Sequence, residues 1–563
     1  MMVGIKERLR QALAAAAEKA RQAGDLTVET LPEVVIEEPK ERAHGDLATN
    51  LAMILTRLEK KNPRLLAETI LRHLDLTGTF VAGADIAGPG FINFRLDPAW
   101  MGEAVRQALQ AGEGYGRSRA GEGQRVLVEF VSANPTGPLL VVQARSAALG
   151  DALCNLLDWA GFRPQREFYC NDAGNQLSKL ALTMEVRLRQ LLGELVELPE
   201  EAYPGEYVID LAREVMEGRA PEIPEGKAIL DQPEEIRRDR LGTYAVRRTT
   251  DEQKAVLSRY GVRFDQWVSE RSIRDEGWPE KVVSLLKERG HTYEAEGAVW
   301  FRSTAFGDDK DRVLVRGDGT FTYVVPDIAY HLNKFERGFD QVIDILGPDH
   351  YGYIARMRAA LAALGKPAER FEVLISQWIR LVRSGEVVSS SKRAGNLFLL
   401  EDLLEDVGSD AARFFVLMRS ADTHMDFDLD LAKLQSQDNP VFYVQYAHAR
   451  IASILRQPEA EPLKGDLTAA NFSLLTDPSE QELIRHLATF PEVVAGAALA
   501  REPHRVARYA TDMAAFFHGF YTRCRVLTDD QALSQARLAL AEATRLTLHN
   551  ALAVLGVSAP ERM

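Results

Sequence analysis

Val126–Asp151, VLVEFVSANPTGPLLVVQARSAALGD, reads as strand, turn and helix in one stretch. Val126, Leu127, Val128, Phe130 and Val131 make an apolar β-run broken only by Glu129. Ser132-Ala-Asn-Pro-Thr-Gly-Pro138 is dense in turn formers, because proline fixes φ and glycine admits positive φ. After Gln143, the composition from Ala144 to Trp159 favours a helix with Leu149, Leu153 and Leu156 on one face. A turn feeding a helix N-terminus offers backbone N–H groups and a positive dipole end to an anion. Glu129, a carboxylate inside the strand, is placed to meet a cation beside that anion. On residue chemistry alone, an ordinary strand–helix corner competes with a nucleotide site.

Outward from this stretch, strands alternate with helices from about 122 to 435. Glu167–Cys170, Gln341–Leu346 and Phe371–Ile375 are predicted short strands, which indicates an α/β class with a parallel sheet wound by crossovers. The charged, helical segment near 190–290 reads as an insertion between the halves of that sheet. Residues 1–110 read as a small α+β domain. In it Leu47, Leu51, Ile54, Leu55 and Leu58 share a helical face with Asp46 as cap, and Ala87-Gly-Pro-Gly90 turns into a strand, Phe91–Phe94. Glycines 112, 114, 116 and 121 mark a linker into a domain spanning 111–435. Residues 436–563 carry amphipathic runs such as Val441–Leu455 and Ser534–Leu555 and are expected to be all helical.

The chain has 563 residues, enough for three or four domains, and its 46% apolar and 27% charged content is that of an ordinary soluble globular protein. No apolar run approaches the roughly 20 residues of a membrane helix. The N-terminal stretch carries Glu7 and Glu18 and spaces Ile5, Leu9 and Leu13 helically, so it reads as a domain helix and not a targeting segment. Cys154, Cys170 and Cys524 lack metal-ligand spacing and fit inert thiols in a reducing cytoplasm. A net charge of −14 argues against indiscriminate nucleic-acid binding and against DNA, while leaving room for local basic faces. Such faces could form at Lys60, Lys61 and Arg64, at Arg450 and Arg456, or at Arg501, Arg505 and Arg508, each of which also suits a plain solvated surface.

Six blocks in order give the chain a family resemblance. They are the 44–58 run with AGPGFINF, the 126–151 stretch, YCNDAGNQ (169–176), FGDDKDRVLVRGDGTFTYVVPDIAYH (306–331), SSSKRAGN (389–396) and NPVFYVQYAHARIASILR (439–456). Together they resemble arginyl-tRNA synthetases, members of the class I aminoacyl-tRNA synthetases. The resemblance implies a Rossmann-type parallel-sheet catalytic domain between an N-terminal tRNA-contacting α+β domain and an all-helical anticodon-binding domain. It implies an arginine–tRNA ligase acting in the cytoplasm, with ATP and Mg²⁺, arginine and tRNA-Arg as its reactants and partners. Neither a resident metal site nor a membrane is expected. In such enzymes arginine's carboxylate attacks the α-phosphate of ATP, pyrophosphate leaves, and a terminal ribose hydroxyl of tRNA takes the arginyl group.

The resemblance also assigns residues. Glu129, Asn134, Tyr323 and Asp327 are expected around arginine, with Gln176 and Asn171 as weaker candidates. The chemistry agrees, since a guanidinium is a planar fork of donors that seeks carboxylates. The first signature departs from the family: Leu140, Val141, Val142 and Gln143 stand where His-X-Gly-His is usual. Pro138, Leu140, Val142, Gln143, Arg145 and Lys392 are the expected ATP contacts, with Arg145 as a substitute phosphate donor. In the second signature, Ser389-Ser-Ser-Lys392 keeps only the final Ser391-Lys392 pair, which with Gln143 carries the expected catalysis. Tyr443, Tyr446, His448 and Arg450 offer rings and a cation for anticodon bases, although interhelical packing is the alternative for each. Asn93 and Arg95 are the N-terminal domain's candidate tRNA contacts. The rival functions are a non-catalytic tRNA-binding paralogue with a weakened ATP site and a nucleotidyl transferase on the same frame.

Overall fold

The computed structural model describes residues 2–39, 41, 44–388 and 398–563. Its centre is a five-stranded parallel sheet made of β1 (Arg125–Glu129), β2 (Arg163–Cys170), β3 (Gln266–Ser269), β4 (Gln341–Leu346) and β5 (Phe371–Ile375). The spatial order is β5-β4-β1-β2-β3. The expected α/β class is met. The quoted stretch forms β1, its turn, and helix α1 (Gln143–Trp159). Gly150 lets α1 lie directly on the sheet, because a Cβ there would fall 2.1 Å from the Phe130 ring.

Two further helices shape the site: α2 (Glu234–Arg259) and α3 (Val324–Glu336). β3 lies inside the stretch expected to be a helical insertion. Its four residues, QWVS, are too few to announce a strand, and pairing with β2 makes them one. A separate antiparallel sheet of Thr292–Ala295, Ala298–Phe301 and Arg312–Val315 also escapes the sequence reading.

The N-terminal region packs the helix Met2–Gln22, the helices Leu51–Glu59 and Pro63–His73, and a three-stranded antiparallel sheet. Leu47 belongs to a short strand, Leu47–Thr49, and not to the expected helix. Asp46 caps nothing: its carboxylate accepts from the Leu96 N–H at 2.9 Å and from Arg485 of the C-terminal region at 2.7 Å. Beyond residue 436 the named elements are helical, including Pro440–Leu455, Pro478–Ala500, His504–Arg523 and Gln531–Leu555. Contrary to the sequence reading, Pro478–Ala500 is long and apolar enough to cross a membrane by length and composition. It serves as a packing helix, with Leu483, Ile484, Leu487, Phe490 and Val494 buried against its neighbours.

Arg413 joins the sheet domain to the helical one. Its fully buried guanidinium donates to the carbonyls of Leu555 (3.1 Å), Tyr260 and Gly261 (both 3.2 Å) and to Asp151 on α1 (2.6 Å). Asn155, one turn further along α1, donates to the Val554 carbonyl at 3.2 Å.

Candidate active site

From β1 the chain winds outward to β2 and β3, then returns to build β4 and β5 on β1's other side. Strand order reverses between β1 and β4, and in open α/β sheets the crevice at the carboxyl ends beside such a reversal is where ligands bind. Glu129 ends β1 and stands opposite Asp344 of β4. Helix α3 presents Asp327, His331 and Lys334 to this place from one face, at i, i+4 and i+7.

Lys334 is fully buried, with its ammonium 2.8 Å from Asp344 Oδ1 and also donating to Glu129 Oε2. His331 Nε2 lies 2.7 Å from Asp344 Oδ2, and its Nδ1 lies 2.8 Å from the Asp327 carbonyl. Nε2 also lies 3.4 Å from the Lys334 ammonium, so the ring bridges Asp344, Lys334 and the backbone of its own helix. Burial works against the Lys334 charge, but Asp344 and Glu129 outweigh it and raise the ammonium's pKa. Burial likewise works against an ionised Asp344, but Lys334 and His331 hold its carboxyl below the usual range. Glu129 and Asp344 thus share the Lys334 ammonium, with His331 bonded to Asp344.

Glu129, His331 and Asp344 have the mutual spacing of a metal-binding triad. The Lys334 ammonium bonds two of the three and takes a cation's place. The expectation that Glu129 is an unpaired carboxylate awaiting a cation is therefore corrected: any substrate contact falls to the lone pairs its protein partners leave. Its Oε2 is spent on Lys334, and its Oε1 accepts the Ser132 hydroxyl at 2.7 Å.

Asp327 is the acid left over. It is half-buried and, among the described residues, its carboxylate has no ion pair or hydrogen bond. Burial, with the charges of Glu270 and Glu129 adding to it against opposing His331 and Arg356, pushes its carboxyl up to about 7. Three groups that the sequence reading did not assign surround this acid. Tyr169 stacks on Tyr330 at 4.3 Å, and its buried hydroxyl, facing the charge of Glu270, has no hydrogen bond within 3.5 Å among the described residues. Glu270 is held by Arg274 at 2.8 Å and, with the carboxamide oriented to donate, by Asn171 at 3.0 Å. The Tyr353 hydroxyl lies 3.5 Å from His331 Nδ1. Tyr169 was visible inside YCNDAGNQ, whereas nothing local in the sequence marked Glu270 or Tyr353. Tyr323 precedes α3 and is 70% exposed, Asn134 is exposed on the turn, and Gln176 is half-buried in the first turn of the helix Asn175–Leu191.

The turn between β1 and α1 is strained and pinned. Val131 and Ser132 have φ of 68° and 40°, and the Ser132 N–H closes a three-residue turn onto the Phe130 carbonyl at 2.9 Å. A β-branched residue at positive φ costs about 1–3 kcal/mol and persists only when its surroundings over-determine it. The surroundings here are the Ser132 hydroxyl, which donates to Glu129 and accepts from the Tyr169 N–H at 3.1 Å, and Gln253 of α2. Gln253 donates to the carbonyls of Asn134 (3.2 Å) and Gly137 (2.8 Å).

On the nucleotide side, Leu139–Val141 pairs with Phe398–Leu400. The Val141 N–H donates to Phe398 at 3.0 Å, and the Leu400 N–H donates to Leu139 at 2.9 Å. The expected row of free N–H groups is largely spent. That of Leu140 donates to Gln143 Oε1 (2.8 Å), that of Gln143 to Leu140 (3.0 Å) and that of Ala144 to Val141 (2.9 Å). Gln143 is left with its Nε2 amide as a donor. Val142 is 39% exposed at the helix start, with Pro138 and Leu140 half-buried beside it. Ser391 and Lys392 lie outside the described residues. Their segment leaves from Val388 and returns at Phe398, the residue bonded to the first signature.

Arg145 is not a phosphate donor. It is 1% exposed and donates to the carbonyls of Gln377 (3.1 Å), Thr423 (2.7 Å) and Ser420 (2.6 Å). Side-chain position on α1 put it inward, where three carbonyls compete for its forked donors. Arg145→Met is expected to cost about 2 kcal/mol or more of stability, because buried acceptors lose their donors. Denaturant unfolding checks this, and a loss confined to ATP kinetics would restore the ligand role.

In the helical region, Tyr446 lies parallel to Phe442 at 6.0 Å and to His518 at 6.0 Å, and Tyr443 contacts His518 at 4.9 Å. Arg450 lies over Tyr446 and Tyr521, 5.1 and 5.3 Å from the ring centres. These half-exposed rings and one cation form a single patch. His448 is excluded from it: the ring is buried and bonds the Pro560 carbonyl at 2.9 Å. Asn93 is also corrected as a contact residue. It is 7% exposed in the middle strand of the N-terminal sheet, whereas Arg95 on the same strand is exposed.

Three family profiles match the chain: the arginyl tRNA synthetase N terminal domain over 4–96, the class I (R) tRNA synthetase catalytic domain over 104–426, and the DALR anticodon binding domain over 444–563. The chain is 53% identical over 560 residues to the arginine–tRNA ligase of Symbiobacterium thermophilum, covering 99% of each. It is 47% identical over 570 residues to that of Desulfitobacterium hafniense, covering 100% of each. Among solved structures it is similar to Thermus thermophilus arginyl-tRNA synthetase, with a TM-score of 0.76, 25% identity, and coverage of 99% of this chain and 100% of that one.

Proposed function

The chain belongs to the arginyl-tRNA synthetase family of class I aminoacyl-tRNA synthetases, and from that premise we propose that it is a working arginine–tRNA ligase. The observation that carries this reading is Asp327, a carboxylate with no hydrogen bond or ion pair among the described residues, in a crevice where Glu129, Asp344 and Glu270 are each held by a cation. An open acid walled by Tyr169 and Tyr353, with Glu270 close by, suits a guanidinium. Asn134, Tyr323 and Gln176 complete the arginine side. Pro138, Leu140, Val142 and the Gln143 amide line the ATP side, and Lys392 with Ser391 meets the phosphates. Arginine's carboxylate then attacks the α-phosphate of ATP, the P–O bond to pyrophosphate breaks, and tRNA-Arg takes the arginyl group in a second step.

The described residues offer no vacant carboxylate–histidine triad for a resident metal, so Mg²⁺ is assigned only to the phosphates that ATP brings. The patch of Tyr443, Tyr446 and Arg450 is assigned to unpaired anticodon bases, which stack on rings and cations. The three cysteines, free and buried, accord with action in the cytoplasm. Purified protein with tRNA-Arg, ATP and labelled arginine is expected to form arginyl-tRNA. A folded preparation that binds tRNA-Arg and forms none, where a control synthetase does, would overturn the reading in favour of a silent paralogue.

A further inference from the structure

Lys334 touches no solvent, yet it is the cation that orients Glu129. It contacts Glu129 and Asp344 from α3 and lies 4.3 Å from the face of Tyr330, the ring on which Tyr169 stacks. The same helix carries Asp327 two turns earlier, so one rigid element bears the open acid and the clamp on the other. Glu129 has Oε2 fixed by Lys334 and Oε1 fixed by Ser132, whose backbone is held at φ 40°. A carboxylate held at both oxygens keeps its remaining lone pairs in set directions.

We propose that Lys334 is a positioning residue for arginine: it locks Glu129 so that its free lone pairs meet the substrate's α-ammonium while Asp327 takes the guanidinium. This inference rests on the arginine-ligase reading and adds a residue that never touches substrate.

The test must separate positioning from charge balance. Lys334→Met alone leaves two buried carboxylates facing each other, and a large fall in Tm is expected. Lys334→Met combined with Asp344→Asn removes one charge of each sign and abolishes the facing carboxylate pair, so Tm should recover most of that loss. Positioning predicts that this double variant still shows an arginine KM raised about tenfold or more, with kcat and the KM for tRNA within about threefold of the parent. Lys334→Arg keeps the charge count but replaces a point cation by a planar fork, and should raise the arginine KM about fivefold with little change in Tm. An arginine KM within twofold of the parent in either folded variant overturns the proposal. A parent protein that never charges tRNA-Arg defeats the functional reading itself, whereas parental charging with unmoved variants defeats only the role of Lys334.

Discussion

Asp327→Asn is expected to lower kcat/KM for arginine by about 2–5 kcal/mol, which is roughly thirtyfold to several thousandfold, with little change in ATP kinetics. The amide keeps the shape but leaves a guanidinium facing a neutral group in a crevice whose other carboxylates, Glu129, Asp344 and Glu270, are already held by cations. The parent should also show a pH signature. Arginine stays protonated throughout, so binding follows ionisation of a carboxyl that sits near 7, and the arginine KM should fall as pH rises through about 7 and then level off.

The stability effect runs the other way. The folded protein binds this proton more tightly than the unfolded chain, whose carboxyl has a value near 3.8, so stability is lost as pH rises from about 4 to about 7. Above that range the ionised group is a burden on the unliganded fold. Asp327→Asn should therefore melt higher than the parent at about pH 8, with the gap closing at about pH 5. Thermal unfolding at both pH values and arginine kinetics between them check the two halves. Parent-like arginine kinetics in the variant would show that the pocket lies elsewhere.

Lys392→Ala is expected to reduce kcat at least about a hundredfold, while arginine binding by titration stays near the parent value. A donor that meets charge developing on departing pyrophosphate acts in the transition state more than in the ground state. Phe398, the first described residue after Lys392, is bonded to Val141 of the first signature. Gln143→Ala should show a milder fall. Gln143→His should be neutral or faster, since one ring nitrogen can accept the Leu140 N–H while the other donates outward. Rapid-quench single-turnover assays separate chemistry from product release. A Lys392→Ala enzyme with most of its kcat would remove this lysine from the reaction.

The parts of this protein that were legible in its sequence are those that local chemistry decides. The strand, turn and helix of 126–159 follow from β-branched residues, prolines and leucine spacing, and the C-terminal helices follow from periodicity. What escaped was decided at long range. Glu129 reads as an available acid because its partner is 205 residues away on α3. Arg145 reads as a donor because it follows the signature directly, and only packing against the Gln377 and Ser420 segments turns it into a clamp. Asn93 has a polar name at a buried position of a three-stranded sheet, and its alternation within FINFRL was ambiguous. Asp327 stands at the crevice, but its lack of a partner among the described residues could not be read from PDIAYH.

Arg413 and Asn155 have a mechanical consequence. Helix α1 starts at the nucleotide crevice and is bolted, through Arg413 at Asp151 and directly at Asn155, to the end of the last long helix, Gln531–Leu555. Its 17 residues make a rod of about 25 Å. A rod gripped at its middle and three-quarters along is a lever: one degree of rotation at the helical domain sweeps its nucleotide end through about 0.2–0.3 Å over the roughly 12–18 Å between. Misplacement of reacting groups by about 1 Å is enough to cost a hundredfold in rate. A few degrees of swivel between the two bodies is therefore a throttle on the chemistry, with no loop in between needing to move.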